Sequence, residues 1–135
     1  MPELPFTEEV RSLLAAPNPA VIATLRRDGH PVTVATWYDL EGDRLLVNMA
    51  ASRVRLQHVR RDPRVSLTVL VEDDWSTHVS VVGRVVELYD DPELIDIDRL
   101  SRRYGAGPFH NRTAARVSAL VEVDTWHAWR HGAPL

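Results

Sequence analysis

Between Ala20 and Met49 the chain passes through three short apolar, β-branched runs joined by connections of a few residues, and this rhythm constrains the fold more than any other feature. The runs are 20–25, 32–38 and 44–49, separated by Arg26-Arg27-Asp28-Gly29 and Leu40-Glu41-Gly42-Asp43. Asp28-Gly29 supplies the positive φ that a tight hairpin turn needs. Connections this short join antiparallel neighbours, because a parallel crossover needs a dozen residues or more. Two longer strand patterns follow, 64–71 and 77–88, with Gly83 marking a bulge or a close backbone approach in the second. A last strand is predicted over 116–123, ahead of Trp126 and Trp129.

Three helices punctuate the strands. Thr7 can cap a helix whose apolar stripe is Val10, Leu13 and Leu14, with Glu8 and Glu9 in its first turn and Pro17 as its stop. Ser52 is predicted to cap a second helix, 52–61, which Asp62-Pro63 ends. Asp90-Asp91-Pro92-Glu93 opens a third through Leu94, Ile97, Leu100 and Tyr104, broken by Gly105-Ala106-Gly107-Pro108. The 135 residues fit one domain, 1–135, mainly β with a few helices, arranged as a small antiparallel barrel.

Composition removes several function classes. With no cysteine there is no disulfide framework, thiol nucleophile, iron–sulfur cluster or cysteine zinc site. All 16 basic residues are arginine, which excludes a Schiff-base or general-base lysine. A net charge of −3 argues against nucleic acid as the partner. The first residues carry no signal-peptide pattern and no apolar run reaches membrane-helix length, so a cytoplasmic location is expected. Dinucleotide, P-loop, α/β-hydrolase and zincin motifs are absent.

The most informative segment is Ser52-Arg53-Val54-Arg55, where a strand delivers the chain to a helix start amid a crowd of arginines. A helix N-terminus offers free N–H groups, and arginine forks suit phosphate. From the residues alone this is either an anion site or a solvated basic face. Tyr38 is a candidate proton donor, but an ordinary amphipathic strand residue is the favoured reading. His127 and His131 have a helical zinc spacing, yet Gly132 and Pro134 favour solvated histidines. Trp126 and Trp129 suit anchors at a barrel end or subunit seam. The acids at 90–98 suit a helix dipole rather than a metal.

Taken together, the run 23–31, Leu45-Leu46-Val47, Arg53-Val54-Arg55 with Arg60-Arg61-Asp62-Pro63-Arg64, and Asp73-Asp74-Trp75-Ser76 resemble the pyridoxamine 5′-phosphate oxidase-like split-barrel superfamily. The resemblance spans roughly Pro5 to Trp129 and is similar in particular to the actinobacterial branch that uses the deazaflavin coenzyme F-420. It implies a split β-barrel homodimer with cofactor at the subunit interface and a small-molecule substrate. It further implies that Ser52, Arg53 and Arg55 hold the cofactor phosphate. His58, three residues after Arg55, either faces the phosphate or tail or is a plain surface histidine. Pro31, Val32, Thr33, Val34 and Thr36 would line the ring. Asn48, Met49 and Ala50 would offer it backbone contacts, and Trp75 and Ser76 would come from the facing subunit. The implied activity is hydride transfer by an F-420-dependent oxidoreductase. The alternatives are an FMN oxidoreductase, a non-catalytic cofactor carrier and, from another class, a small-ligand or haem-binding barrel.

Overall fold

The computed structural model describes residues 2–135. The chain runs α1 (Glu8–Ala15), β1 (Ala20–Leu25), β2 (Pro31–Thr36), β3 (Asp39–Glu41), β4 (Arg44–Ala50), α2 (Val54–Arg61), β5 (Arg64–Val71), β6 (Asp74–Asp90), α3 (Ile95–Arg103), β7 (Arg116–Arg130) and β8 (Ala133–Pro134). The strands form one antiparallel sheet in the order β2-β1-β5-β6-β7-β4-β3, with β8 added beside β7. The path does not close on itself, so the architecture is a split barrel, the mainly β fold with three helices that the strand rhythm predicts.

Curvature comes from the two longest strands. The β6–β7 register shifts at Val82/Gly83 and again at Val85/Glu87, and bulges of this kind bend a strand and raise its twist. Gly83 serves both roles anticipated for it. It sits at the first shift, and a Cβ there would lie 2.1 Å from the Glu122 carbonyl oxygen. Inward positions alternate along β1, β5 and β6, and Ile22, Leu67, Val69, Val79, Val81 and Val121 fill the interior. Burying each such side chain stabilises the fold by about 1.5–3 kcal/mol. Trp126 closes one end, tilted against Phe6 at 5.9 Å with its indole N–H donating to Glu3 O, in keeping with the anchor role expected of it.

Several boundaries differ from the sequence expectation. β2 stops at Thr36, and Asp39–Glu41 pairs with β4, although a turn is expected from Leu40 onward. β7 continues to Arg130 because β6 is long enough to pair with all of it, and the expected tail folds back as β8. Ser52 does not cap α2. Arg53 N–H bonds to Ala50 O at 3.0 Å, closing a turn that delays the helix to Val54 and leaves Arg53 as an N-cap without a side-chain bond. α3 also starts late. Asp91 to Leu94 is a turn, Leu94 takes a left-handed φ of 60°, and the buried Asp91 carboxylate accepts from Asp96 N and Ile97 N.

α1 has no basic residue in its last turn. Arg103, at the end of α3, supplies the missing charge by donating to the carbonyls of Leu14, Ala15 and Ala16, and also to Tyr38 O. This satisfies groups that every helix C-terminus leaves open and ties α3 to α1 across the mouth of the barrel.

Candidate functional site

That tie frames a groove of about 770 Å³. Its walls come from the α1–β1 connection at Pro17 and Pro19, the end of β2 at Ala35 and Thr36, Asn48 of β4, Arg55 of α2, the end of α3 and the following loop, and Arg116 at the start of β7. One wall is aromatic. Trp37 stacks on Tyr104 with centroids 5.5 Å apart and planes 11° from parallel, and Phe109 meets Trp37 edge-on at 6.2 Å. Tyr104 is fixed by donating its hydroxyl to Asn18 O at 2.7 Å. Phe109 is fixed by Asp98, whose carboxylate accepts from Phe109 N at 2.8 Å and takes both terminal nitrogens of Arg112. Those bonds hold the Asp98 carboxyl below its ordinary range.

Another part of the lining is cationic. Arg55 is half-buried, and it has no hydrogen bond or ion pair to any described residue. Burial lowers its pKa first, and the charges of Arg53 and Arg116 lower it further. Arg53 is exposed and likewise lacks a carboxylate partner among the described residues. Arg116 donates Nε to Asn48 Oδ1 at 2.8 Å and lies 4.7 Å from the Phe109 ring centroid. Burial lowers its pKa too, offset by Asp91 and reinforced by Arg53. Asn48 is itself locked, its amide nitrogen donating to Asp91 Oδ2 and Ser118 Oγ at 3.2 and 3.0 Å.

The structure brings Thr36, Asn48 and Arg55 together in the groove, with Arg53 at its edge. Ser52 is exposed beside Arg53. The Met49 side chain is in the core, and among the described residues β4 from Val47 to Met49 pairs with no strand but β7. Pro31, Val32, Thr33 and Val34 lie on the exposed edge strand, outside the groove lining of this protomer. Trp75 is 75% exposed at the β5–β6 turn, and Ser76 beside it donates to Asp74. His58 points inward rather than toward a phosphate. It is buried under α2, its Nδ1 2.9 Å from Thr24 Oγ1, because it shares the inner face of the helix with Leu56 and Val59.

Tyr38 is no proton donor to the groove. It is fully buried, its hydroxyl donates to Leu14 O at 2.8 Å, and burial pushes its pKa well above the phenol range. His131 bonds to Asp74 in the turn before β8, and His127 lies on β7, so the two do not share a helix face. No group of three metal-ligating side chains occurs among the described residues, and no helix is long and apolar enough to cross a membrane.

Sequence reasoning missed Arg116, Tyr104 and Phe109. Arg116 carries no local signal, since it opens a strand far along the chain. It reaches the site because it pairs with Ala50 in the β4–β7 register, three residues before Arg53, the N-cap of α2.

A split barrel with a cationic pocket and an aromatic wall defines a class of small cofactor-binding domains, and comparison with known proteins places the chain within it. A profile of the pyridoxamine 5′-phosphate oxidase family matches residues 6–130, and the chain belongs to that family. A solved F-420 reductase is similar at 28% identity and a TM-score of 0.80, covering 91% of this chain and 98% of its own. A conserved protein from Mycobacterium tuberculosis is similar at 23% identity and a TM-score of 0.74, with 97% and 89% covered. General stress protein 26 from Bacillus anthracis shares the fold at 16% identity and a TM-score of 0.71, with 95% of each chain covered. The chain therefore has the fold of flavin- and deazaflavin-binding oxidoreductases.

Proposed function

We propose that the protein is a coenzyme F-420-dependent oxidoreductase acting on a small organic molecule. The observation that carries this reading is the set of arginines at the groove, Arg53, Arg55 and Arg116, none of them bonded to a carboxylate. Uncompensated, partly desolvated charge of one sign costs stability unless a ligand neutralises it. Arg55 and Arg53 would hold the cofactor phosphate, with Ser52 and the first N–H groups of α2 beside it. The free edge of β4 would bond the ring, and Thr36 would flank it. When bound, the deazaflavin supplies hydride chemistry; the protein's part is to bind, orient and exclude water.

The chain acts in this reading as a homodimer. β2 is exposed along nearly its whole length, and Val32 and Val34 on it and Trp75 at the start of β6 present apolar surface. A second copy would cover these residues and bring its Trp75 and Ser76 to the groove. The similarity to an F-420 reductase supports the deazaflavin; the family match keeps FMN as the second reading.

Titration separates the two. Quenching of F-420 fluorescence at micromolar protein, with no flavin absorbance in the purified protein, supports the deazaflavin. Yellow protein with bound FMN supports the second reading. Binding of neither at micromolar concentration would sink both.

A further inference from the structure

Among the residues that line the groove, Glu72 is the one acid. It makes no hydrogen bond or ion pair with any described residue. Its place follows from the sheet. β2 and β5 both lie antiparallel to β1, so they run the same way, and Ala20 aligns with Thr36 on one side and Val69 on the other. Trp37 and Glu72 therefore leave the sheet at the same end, from strands about 10 Å apart. Val71 pairs with Asp74, so Glu72 takes the first place of a two-residue turn. The base of that turn is fixed. Leu70 N–H donates to Pro19 O at 3.0 Å, and the Asp74 carboxylate accepts from Ser76 Oγ at 2.9 Å and Thr77 Oγ1 at 2.8 Å. Asp73, the other turn residue, is exposed and is not part of the groove lining.

The groove is thus divided by charge. Arg116 and its partner Asn48 belong to the β7–β4 part of the sheet, and Glu72 to the β2–β1–β5 part. Arg103, between them in the lining, is spent on four backbone carbonyls and Asp39. In the proposed reading the cofactor engages Arg53 and Arg55. The space left on the Glu72 side is then bounded by the rings of Trp37, Tyr104 and Phe109 and by one open carboxylate. Ring faces beside a carboxylate suit an organic cation, which gains from the ring quadrupole and from a charge-assisted hydrogen bond. We propose that Glu72 is a specificity-determining residue. It selects a substrate whose planar part meets the aromatic wall and whose short arm carries a protonated amine or amidine. The inference rests on the cofactor reading, which occupies Arg53 and Arg55, and adds a substrate class to it.

Calorimetric titration of the full-length protein saturated with F-420 tests it, using naphthylmethylammonium, naphthylmethanol and naphthylacetate, which share one ring and differ in charge. Wild type is expected to bind the ammonium most tightly and the carboxylate least. Glu72→Gln is expected to lower the ammonium-to-alcohol affinity ratio about fivefold, the upper range for a solvent-exposed charge pair, with alcohol binding little changed. Asp73→Asn removes the same charge one residue away, outside the lining, and is expected to leave the ratio unchanged. An unchanged ratio in Glu72→Gln, or equal losses in the two variants, overturns the inference, as does a wild-type protein that binds none of the three ligands. Loading with F-420 reports on the cofactor separately. A protein that loads but shows no preference for the ammonium leaves the cofactor reading standing, and one that does not load overturns both.

Discussion

Two groups of arginines in and around the same groove live under different rules. Arg99, Arg103 and Arg112 are saturated. Arg103 donates to four backbone carbonyls and pairs with Asp39, Arg99 bridges Asp39 and Glu41, and Arg112 grips Asp98. Arg53, Arg55 and Arg116 share one neutral amide among them and otherwise face each other. The first group contributes to folding, because each donor replaces water with a fixed partner. The second works against folding, and in the proposed reading a bound anion would offset that cost. The proposed site is marked by what an arginine lacks, not by its presence, since a helix-end arginine and an unpaired one look alike in sequence.

The contrast is sharpest in a pair of alanine variants. Arg103→Ala is expected to cost about 3 kcal/mol, since it strips a charged donor from three helix-end carbonyls. For a chain of this size that lowers Tm by roughly 10 °C. Arg55→Ala is expected to leave Tm unchanged or slightly raised while weakening cofactor binding about a hundredfold, the scale of a lost charge-assisted contact. Thermal melts and binding titrations on both variants check this, and a large Tm loss in Arg55→Ala would break the comparison.

Smaller effects should follow charge pairing. The Asp98 carboxyl lies below its ordinary pKa because Arg112 and Phe109 N bond to its ionised form. A depressed carboxylate stabilises the fold above its unfolded pKa, about 3.9, and loses that contribution as pH falls through the folded value. The Tm gap between wild type and Asp98→Asn should therefore be full at pH 5 and above, and close progressively in more acidic solution. The least effect is expected at Asp62. Its pKa is lowered to about 2 by hydrogen bonding to Arg64, but the pair is exposed, and exposed pairs contribute little. Asp62→Asn should move Tm by no more than a degree or two, and less still in high salt.

Most of the barrel was legible because strands write their signal locally. β1 and β5 match their predicted limits, and Thr7, Pro17, Asp28-Gly29 and Gly83 act where their chemistry says they should. The misses share a cause in distant partners. Trp126 to Arg130 is strand because β6 opposes it, Asp91 caps α3 from across a turn, and Ser52 lost its capping place to a backbone bond between Arg53 and Ala50. The site was half legible. Arg53, Arg55 and Asn48 cluster around one strand–helix junction, whereas Arg116, Tyr104 and Phe109 reach the groove only through sheet register and the Asp98 anchor. His58 could not be placed from its spacing, because a short helix turns either side toward the core depending on how it seats on β1.

The central claim is that the unpaired arginines are a cofactor site rather than a solvated face. Thermal unfolding with increasing F-420 tests it most directly, because a ligand that binds only the folded state raises its stability by about 2.7 kcal/mol at a hundredfold excess over Kd. Tm of the wild-type protein is predicted to climb with F-420 concentration, and that of Arg55→Ala to stay flat over the same range. Equal climbs in the two proteins would contradict the account.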